Sequence, residues 1–246
     1  MKVELLNYQP DALEILLMTK STRLKGASLE DIMALPYEVK LGHYAYMKDT
    51  IKGSFEFCTY IFNISDVSRN FTHQLVRTRT QSYAQESMRA VEKVDAKFYN
   101  YGLCDEYDNA VDFALDNYLH MIEEGIQIQD ARGILPTDTL TNIMVKTDLR
   151  TLHDSAKTRL CTRTAGEYQD VFKEMRRLIG LVHPWALDMI NVACVDSGIC
   201  CFPRYTECPV QVSTVKIDDF RKQAIRIAWE NTTHVANPVS VNGATM

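Results

Sequence analysis

The spacing of hydrophobic positions along the chain predicts a protein made mostly of helices. Apolar residues that recur three and four positions apart place one face of a helix against a core, and this spacing is found in most of the longer segments. The clearest case is residues 108–125, where Val111, Leu115 and Tyr118 share a face and Gly125 is suited to end the helix. The predicted helices cover about residues 9–19, 36–50, 66–76, 108–125, 129–136, 138–160, 165–190 and 218–230.

Two segments have the pattern of strands. From Phe55 to Ile64, apolar and polar residues alternate and aromatic and β-branched side chains are frequent. The segment Lys97-Phe98-Tyr99 is a second, shorter candidate. The sequence therefore predicts an α+β fold, a mostly helical domain around a small mixed or antiparallel sheet.

The short helix predicted at about residues 66–76 leads into an arginine-rich run. Its apolar residues recur every four positions, and Asp66 or Ser68 is suited to be its N-cap. Such a helix would place Gln74 and Arg77 close together at its C-terminal end.

Composition and charge narrow the class of protein. The 246 residues suit one domain covering 1–246, and the hydrophobic share of 46% and charged share of 24% are ordinary for a globular protein. No apolar stretch approaches the roughly 18 residues of a membrane span, and the N-terminus lacks the layout of a signal peptide, so we expect a cytoplasmic protein. A net charge of −5 argues against direct binding of a nucleic-acid polymer.

The seven cysteines do not form a recognisable framework. An odd number in a cytoplasmic protein indicates thiols rather than disulfides. Four of them lie between residues 194 and 208, but they are not spaced as a pair of CxxC knuckles. We therefore predict no metal site.

The run from Arg77 to Arg89 carries the candidate chemistry. It contains three arginines and four serine or threonine residues. Guanidinium groups match phosphate oxygens in pairs, and hydroxyl groups complete such a site. A solvated basic loop is the alternative for three arginines taken alone.

The sequence around this run indicates a more specific function. Arg77-Thr78-Arg79, seven residues and then Ser87 resembles the signature of the flavin-dependent thymidylate synthases, in which a histidine stands between the two arginines. Further blocks in the same order are similar to that family over residues of about 50–210. They are Ser54-Phe55-Glu56, Gln74-Leu75-Val76, Ala131-Arg132-Gly133-Ile134-Leu135-Pro136, Asp148-Leu149-Arg150, Arg159-Leu160-Cys161-Thr162-Arg163 and the cysteine-bearing segment 198–209.

The resemblance implies a fold, an assembly and a set of roles. Family members are homotetramers with active sites shared between subunits, and they use FAD and methylenetetrahydrofolate. By the resemblance, Arg159 faces the pyrimidine at O2 and N3, Arg159 and Ser87 are the catalytic residues, and Arg89 reaches across from another subunit. The implied nucleotide-binding residues are Gln74, Arg77, Ser87, Arg89, Arg132 and Arg159. The implied flavin-binding residues are Glu56, Arg77, Arg79, Asp148, Arg150 and Asp154.

The chain departs from the family pattern near the flavin and the base. Thr78 replaces the histidine, and Ile51 or Lys52 lies nearest to a second expected histidine. Thr164-Ala165-Gly166 stands where the family has Ala-Gln-Trp, and Asp148 and Asp154 stand at two usual asparagine positions. The phosphate-binding arginines are retained. The pattern predicts that phosphate binding is kept while base choice or chemistry has changed.

These departures favour cytosine. An ionised carboxylate only accepts hydrogen bonds, which suits the amino group of cytosine better than O4 of uracil. The chain is also similar to a divergent branch of the family, in bacterial viruses, that hydroxymethylates dCMP, in which case it would act in the host cytoplasm. Two alternatives stay open: methylation of dUMP to dTMP, which needs NADPH, and a non-catalytic nucleotide- or flavin-binding protein.

Overall fold

A computed structural model describes residues 1–20, 24, 26–50, 52–91, 93, 95–164, 166–198, 200 and 208. The chain divides into two compact units, residues 1–190 and 191–246. In the second unit, the described residues include the short helix α9 (Ala193–Ser197). The predicted helix near 218–230, Ala165, Cys201 and Pro209 lie outside the described residues. A single domain over 1–246 stays a prediction.

A four-stranded antiparallel sheet forms the centre of the first unit. Its strands are adjacent in the order β1-β2-β4-β3. Strand β4 pairs with β2 on one side, where Ile143 faces Ile64, and with β3 on the other, where Ile143 faces Gln85. The strands are β1 (Lys2–Tyr8), β2 (Thr59–Ser68), β3 (Ser82–Gln85) and β4 (Leu140–Asp148).

Helices cover the buried face of this sheet. Along β4, residues 141, 143, 145 and 147 are buried and the residues between them are exposed, because successive side chains of a strand point to opposite faces. The core joins the sheet to α4 and α8 through Phe62, Phe71 and Tyr168. The helices are α1 (Ala12–Met18), α2 (Leu29–Met33), α3 (Tyr37–Thr50), α4 (Arg69–Leu75), α5 (Asp105–Glu123), α6 (Ile128–Ala131), α7 (Leu149–Arg159) and α8 (Gly166–Val182).

The α+β class and several elements agree with the sequence prediction. Ser68, rather than Asp66, caps α4: its Oγ accepts a hydrogen bond of 2.9 Å from the backbone N–H of Phe71. Gly125 follows α5 with a φ of 82°, the left-handed conformation that glycine adopts without strain. Among the described helices, none is both long and apolar enough to cross a membrane.

Three predicted boundaries are wrong. The helix predicted at 138–160 is a strand in its first half, and α7 begins only after Asp148. The strand predicted from Phe55 begins at Thr59, because a 3₁₀ turn over Gly53–Phe57 buries Phe55 in the core. The helix predicted at 165–190 ends at Val182, since Pro184 opens a separate 3₁₀ turn over Pro184–Met189.

Smaller differences concern the sheet. Strands β1 and β3 were not predicted. The segment around Phe98 forms a single isolated bridge to Thr139 instead of a strand. The sheet is thus wholly antiparallel among the described residues.

Candidate active site

A cavity of about 610 Å³ lies along one face of helix α7. This volume falls within the range of about 300–1,000 Å³ typical of small-molecule sites. The lining combines hydroxyl groups, carboxylates and two arginines. The lining residues are Glu56, Thr78, Thr80, Asp148, Arg150, Thr151, Asp154, Ser155, Thr158 and Arg159.

The helical repeat explains why these side chains meet. Positions three and four apart lie on one face of a helix. From Thr151, steps of three or four residues lead to Asp154 and Ser155, and then to Thr158 and Arg159. Because β4 ends directly at the N-cap of α7, this polar face starts at the edge of the sheet.

Asp148 is the N-cap of α7. Its carboxylate accepts a 2.8 Å hydrogen bond from the Thr151 backbone N–H and a 3.0 Å bond from the Thr151 hydroxyl. Burial raises the pKa of Asp148, and these hydrogen bonds act in the opposite direction. Asp148 therefore has a structural task in addition to lining the cavity.

The turn after α4 forms the opposite wall. The Tyr83 hydroxyl lies 2.8 Å from the carbonyl oxygens of both Leu75 and Thr78, which fixes the start of the arginine-rich run. Further along, the Thr80 and Thr151 hydroxyl oxygens are 3.1 Å apart. Thr78 and Thr80 thus line the cavity, while the arginines on either side of Thr78 do not.

Charged groups at the rim are paired. Arg150 Nη1 lies 2.7 Å from Glu56 Oε1, and both side chains are well exposed. Asp154 forms a 2.7 Å ion pair with Lys157 one turn further along α7. Burial raises the pKa of Asp154, but the hydrogen bond and charge of Lys157 outweigh it, so the pKa is lowered overall. Asp154 is therefore ionised at neutral pH.

The guanidinium of Arg159 lies over an aromatic ring. Its Cζ is 4.2 Å from the centroid of Tyr168, a cation–π geometry. Tyr168 is 2% exposed and belongs to the first turn of α8. Arg159 thus lines the cavity while its guanidinium packs on the buried ring of Tyr168.

The structure brings together five of the eleven site residues predicted from the sequence. The members that line the cavity are Glu56, Asp148, Arg150, Asp154 and Arg159. The members that do not line it are Gln74, Arg77, Arg79, Ser87, Arg89 and Arg132. The second group includes all the predicted phosphate ligands.

The second group lies on other surfaces of the chain. Gln74 is half-buried on α4, and Arg77, Arg79 and Arg89 are exposed. Ser87 is exposed after β3, where its Oγ accepts a 3.3 Å hydrogen bond from the Arg89 backbone N–H.

Arg132 belongs to a different part of the surface. Its Nε donates to the carbonyl oxygen of Gln129 at 3.0 Å. Burial and the charge of Arg132 lower the pKa of Arg69, and the charge of Glu86 acts in the opposite direction.

Sequence reasoning missed three hydroxyl groups of the cavity. Thr151, Ser155 and Thr158 were not singled out. Their common face with Asp148 follows from the helical spacing, which is the same in α7 and in the helix predicted at 138–160. The sequence did not indicate that this face lines a cavity.

The sequence that forms this site matches a known family. The family model described as "Thymidylate synthase complementing protein" matches residues 4–185, which include every residue that lines the cavity. The chain belongs to this family. The family predicted from Arg77-Thr78-Arg79 is therefore confirmed.

Curated relatives are consistent with that membership. A protein of Pyrococcus horikoshii is 30% identical over 226 residues, covering 81% of this chain and 89% of its own. One of Geobacter sulfurreducens is 28% identical over 228 residues, covering 82% and 94%. One of Sulfurisphaera tokodaii is 26% identical over 208 residues, covering 79% of each chain. All three are named flavin-dependent thymidylate synthase.

Proposed function

We propose that this protein is a flavin-dependent enzyme that transfers a one-carbon unit from methylenetetrahydrofolate to C5 of a pyrimidine deoxynucleoside monophosphate. Membership of the family and the names of its relatives support the flavin dependence and the class of reaction. The more specific reaction that we propose is the hydroxymethylation of dCMP.

The donor set of the cavity fits a flavin nucleotide. Arg150 and Arg159 supply guanidinium groups, and the threonine and serine hydroxyls supply further hydrogen bonds to phosphate and ring oxygens. Bound FAD supplies the redox chemistry of this family. On this proposal Glu56, Arg150, Asp148 and Asp154 lie beside the flavin, while Arg77 and Arg79 approach it from the surface of the arginine-rich turn.

One observation carries the choice of dCMP. Thr78, Asp148 and Asp154, three positions at which the chain departs from the family pattern, line the same cavity as Arg159. Arg159 donates to O2 and to the unprotonated N3 of cytosine, and an ionised carboxylate accepts from its amino group. A polar mismatch of this kind at a buried edge discriminates by up to about 10⁴-fold.

Hydroxymethylation requires a water molecule in the cavity, and the polar lining suits this requirement. The transferred carbon forms a bond to C5, which loses its proton, and the carbon–nitrogen bonds to the folate break, so that tetrahydrofolate leaves with protonated nitrogens. Hydroxymethylation is completed by a water molecule, which adds its oxygen to the methylene group, so the overall reaction needs no reductant. Thr78 is smaller than the histidine of the family pattern, and its hydroxyl can hydrogen-bond a water molecule.

A second candidate is the methylation of dUMP to dTMP. The relatives' shared name, flavin-dependent thymidylate synthase, favours it. That reaction ends with a hydride instead of water, so it consumes NADPH through the flavin. The demand for a reductant therefore separates the two candidates.

On this proposal, the residues that bind the nucleotide phosphate belong to a site formed by more than one subunit. Gln74, Arg77, Ser87, Arg89 and Arg132 lie outside the cavity of their own chain. In a homotetramer, the exposed Arg77 and Arg89 would reach the cavity of a neighbouring subunit. Guanidinium groups would then bind the nucleotide phosphate in pairs. Ser87 and Arg159 are the residues that we assign to the reacting nucleotide.

The decisive experiment uses two nucleotides. The FAD-loaded protein is incubated with methylenetetrahydrofolate and either dCMP or dUMP, each with and without NADPH, and the product mass is measured. Hydroxymethyl-dCMP formed without NADPH supports the proposal. Methylated dUMP formed only with NADPH, with dCMP unchanged, establishes the second candidate instead.

A further inference from the structure

Tyr168 is a buried residue that packs against Arg159 in the cavity wall. Its ring lies under the guanidinium of Arg159, with 4.2 Å between the ring centroid and Cζ. A cation is attracted more strongly to an aromatic face where water is excluded, and Tyr168 is 2% exposed. The edge of Phe71, whose ring centroid is 4.9 Å away, holds the tyrosine ring from another side.

The hydroxyl of Tyr168 lies beside the arginine-rich turn. Burial raises the pKa of this hydroxyl, and the charge of Arg159 and side-chain hydrogen bonds to Thr78 and Arg159 oppose the rise. Thr78 is held in place separately, because its carbonyl oxygen accepts from Tyr83 at 2.8 Å. The distance that ties Tyr168 to the cavity wall is the one between its ring and Arg159.

We infer that Tyr168 is a positioning residue, whose ring sets the plane of the Arg159 guanidinium for the pyrimidine edge. The inference rests on the proposed function, in which Arg159 contacts O2 and N3 of the base. A guanidinium makes paired hydrogen bonds only in its own plane. A ring beneath it restricts the rotation of a long side chain before the nucleotide binds, which lowers the entropic cost of binding.

The test uses three variants of the FAD-loaded enzyme. Tyr168→Leu removes the ring and keeps an apolar side chain of moderate size. Tyr168→Phe keeps the ring under Arg159 and removes only the hydroxyl. Phe172→Leu is the matched control, because it makes the same aromatic-to-leucine change on the buried face of α8, four residues further along.

The measurement is the Kd of dCMP and dUMP by titration calorimetry, together with KM, kcat and Tm. We expect Tyr168→Leu to raise the nucleotide Kd and KM up to about tenfold, because the ordering of the long Arg159 side chain then becomes a cost of binding. Tyr168→Phe should stay within about threefold of the unmodified enzyme, since the cation–π contact survives. Phe172→Leu should lower Tm as Tyr168→Leu does and leave the nucleotide Kd unchanged.

Each contrary result has a distinct meaning. An unchanged Kd in Tyr168→Leu overturns the inference, as does a Tyr168→Phe variant that binds as weakly as Tyr168→Leu. An equal loss of affinity in Phe172→Leu overturns it too, because the effect would then be one of general packing. An unmodified enzyme that binds neither dCMP nor dUMP refutes the proposed function itself, and the inference with it.

Discussion

Thr80 and Thr151 join the arginine-rich turn to helix α7, with their hydroxyl oxygens 3.1 Å apart. The Thr151 hydroxyl also lies 3.0 Å from a carboxylate oxygen of Asp148. Because this hydroxyl has a single proton, Thr80 donates to Thr151 whenever Thr151 donates to Asp148. The two walls of the cavity are therefore held together by a chain of hydrogen bonds that ends on the N-cap of α7.

Replacing Thr151 tests this chain. Thr151→Val keeps the shape of the side chain and removes its donor and acceptor, so we expect a loss of about 1–2 kcal/mol in the free energy of unfolding, measured by urea denaturation. Thr151→Ser should retain most of the stability. A valine variant as stable as the unmodified protein would show that the hydroxyl contributes nothing.

Asp148 has two tasks, and two substitutions separate them. Asparagine caps helices as well as aspartate does, so Asp148→Asn should keep the unfolding free energy within about 0.5 kcal/mol, whereas Asp148→Ala should lose about 1 kcal/mol or more. If the carboxylate also contacts the cytosine amino group, Asp148→Asn lowers the ratio of dCMP to dUMP turnover. The same ratio should be measured for Asp154→Asn. An unchanged ratio in both variants removes the carboxylates from base recognition.

These predictions depend on knowing where α7 begins, which the sequence did not reveal. Residues 140–160 carry apolar side chains at Val145, Leu149, Leu152 and Ala156, a helical spacing that continues back through the strand. The same residues also alternate in the manner of a strand from 141 to 147. Pairing of β4 with β2 and β3 decides between the two, and that is a long-range interaction which local pattern does not contain.

The candidate site was predictable in its residue types and less so in its geometry. The motif blocks in the sequence are sufficient to indicate the family and five of the cavity residues. They did not indicate that Thr78 and Thr80 line the cavity while Arg77 does not, because that depends on how Tyr83 anchors the turn. The contact of Arg159 with Tyr168 joins two helices and had no local signal in the sequence.

Buried histidines predict a loss of stability in mild acid. His153 donates from Nδ1 to the carbonyl of Met189 at 2.7 Å, and its Nε2 lies 3.0 Å from Lys52 Nζ. Burial, with the charges of Lys157 and Lys52, lowers the pKa of His153 below its ordinary 6.5, and burial lowers that of His183 as well. The unfolded chain therefore binds these protons first, so stability is full above pH 6.5 and falls as the pH decreases below it.

Urea denaturation at pH 5.5 and pH 7.5 checks this prediction. We expect a lower midpoint at pH 5.5, and a smaller difference between the two pH values in His153→Gln than in the unmodified protein. His120, which is exposed on α5, is the control position, and His120→Gln should leave the difference unchanged. A pH dependence that is the same in all three proteins contradicts the assignment to His153.

A buried carboxylate links α8 to the start of α4. Glu167 accepts from the backbone N–H of Ser68 at 2.7 Å and from its hydroxyl at 2.5 Å. Glu167→Ala leaves that N–H without a partner in a buried position, so we expect a loss of about 2–3 kcal/mol in the free energy of unfolding, measured by urea denaturation. The nearby Asp170 is exposed and forms an ion pair with Lys173, so Asp170→Ala is the control and should change stability little. A loss below about 0.5 kcal/mol in Glu167→Ala would mean that solvent replaces the carboxylate.

Thr78 is the residue whose substitution should most directly change the product of the proposed reaction. Thr78→His restores the residue of the family pattern and places a larger ring in the cavity wall. If water completes the reaction because the cavity has room and a hydroxyl at this point, the histidine variant should make several-fold less hydroxymethyl product per nucleotide bound. Thr78→Ser keeps the hydroxyl and the small volume, and should retain the product. Product mass and nucleotide Kd, measured together, separate a change of chemistry from a loss of binding. If serine and histidine variants give the same product at the same rate, Thr78 does not determine the fate of the transferred carbon.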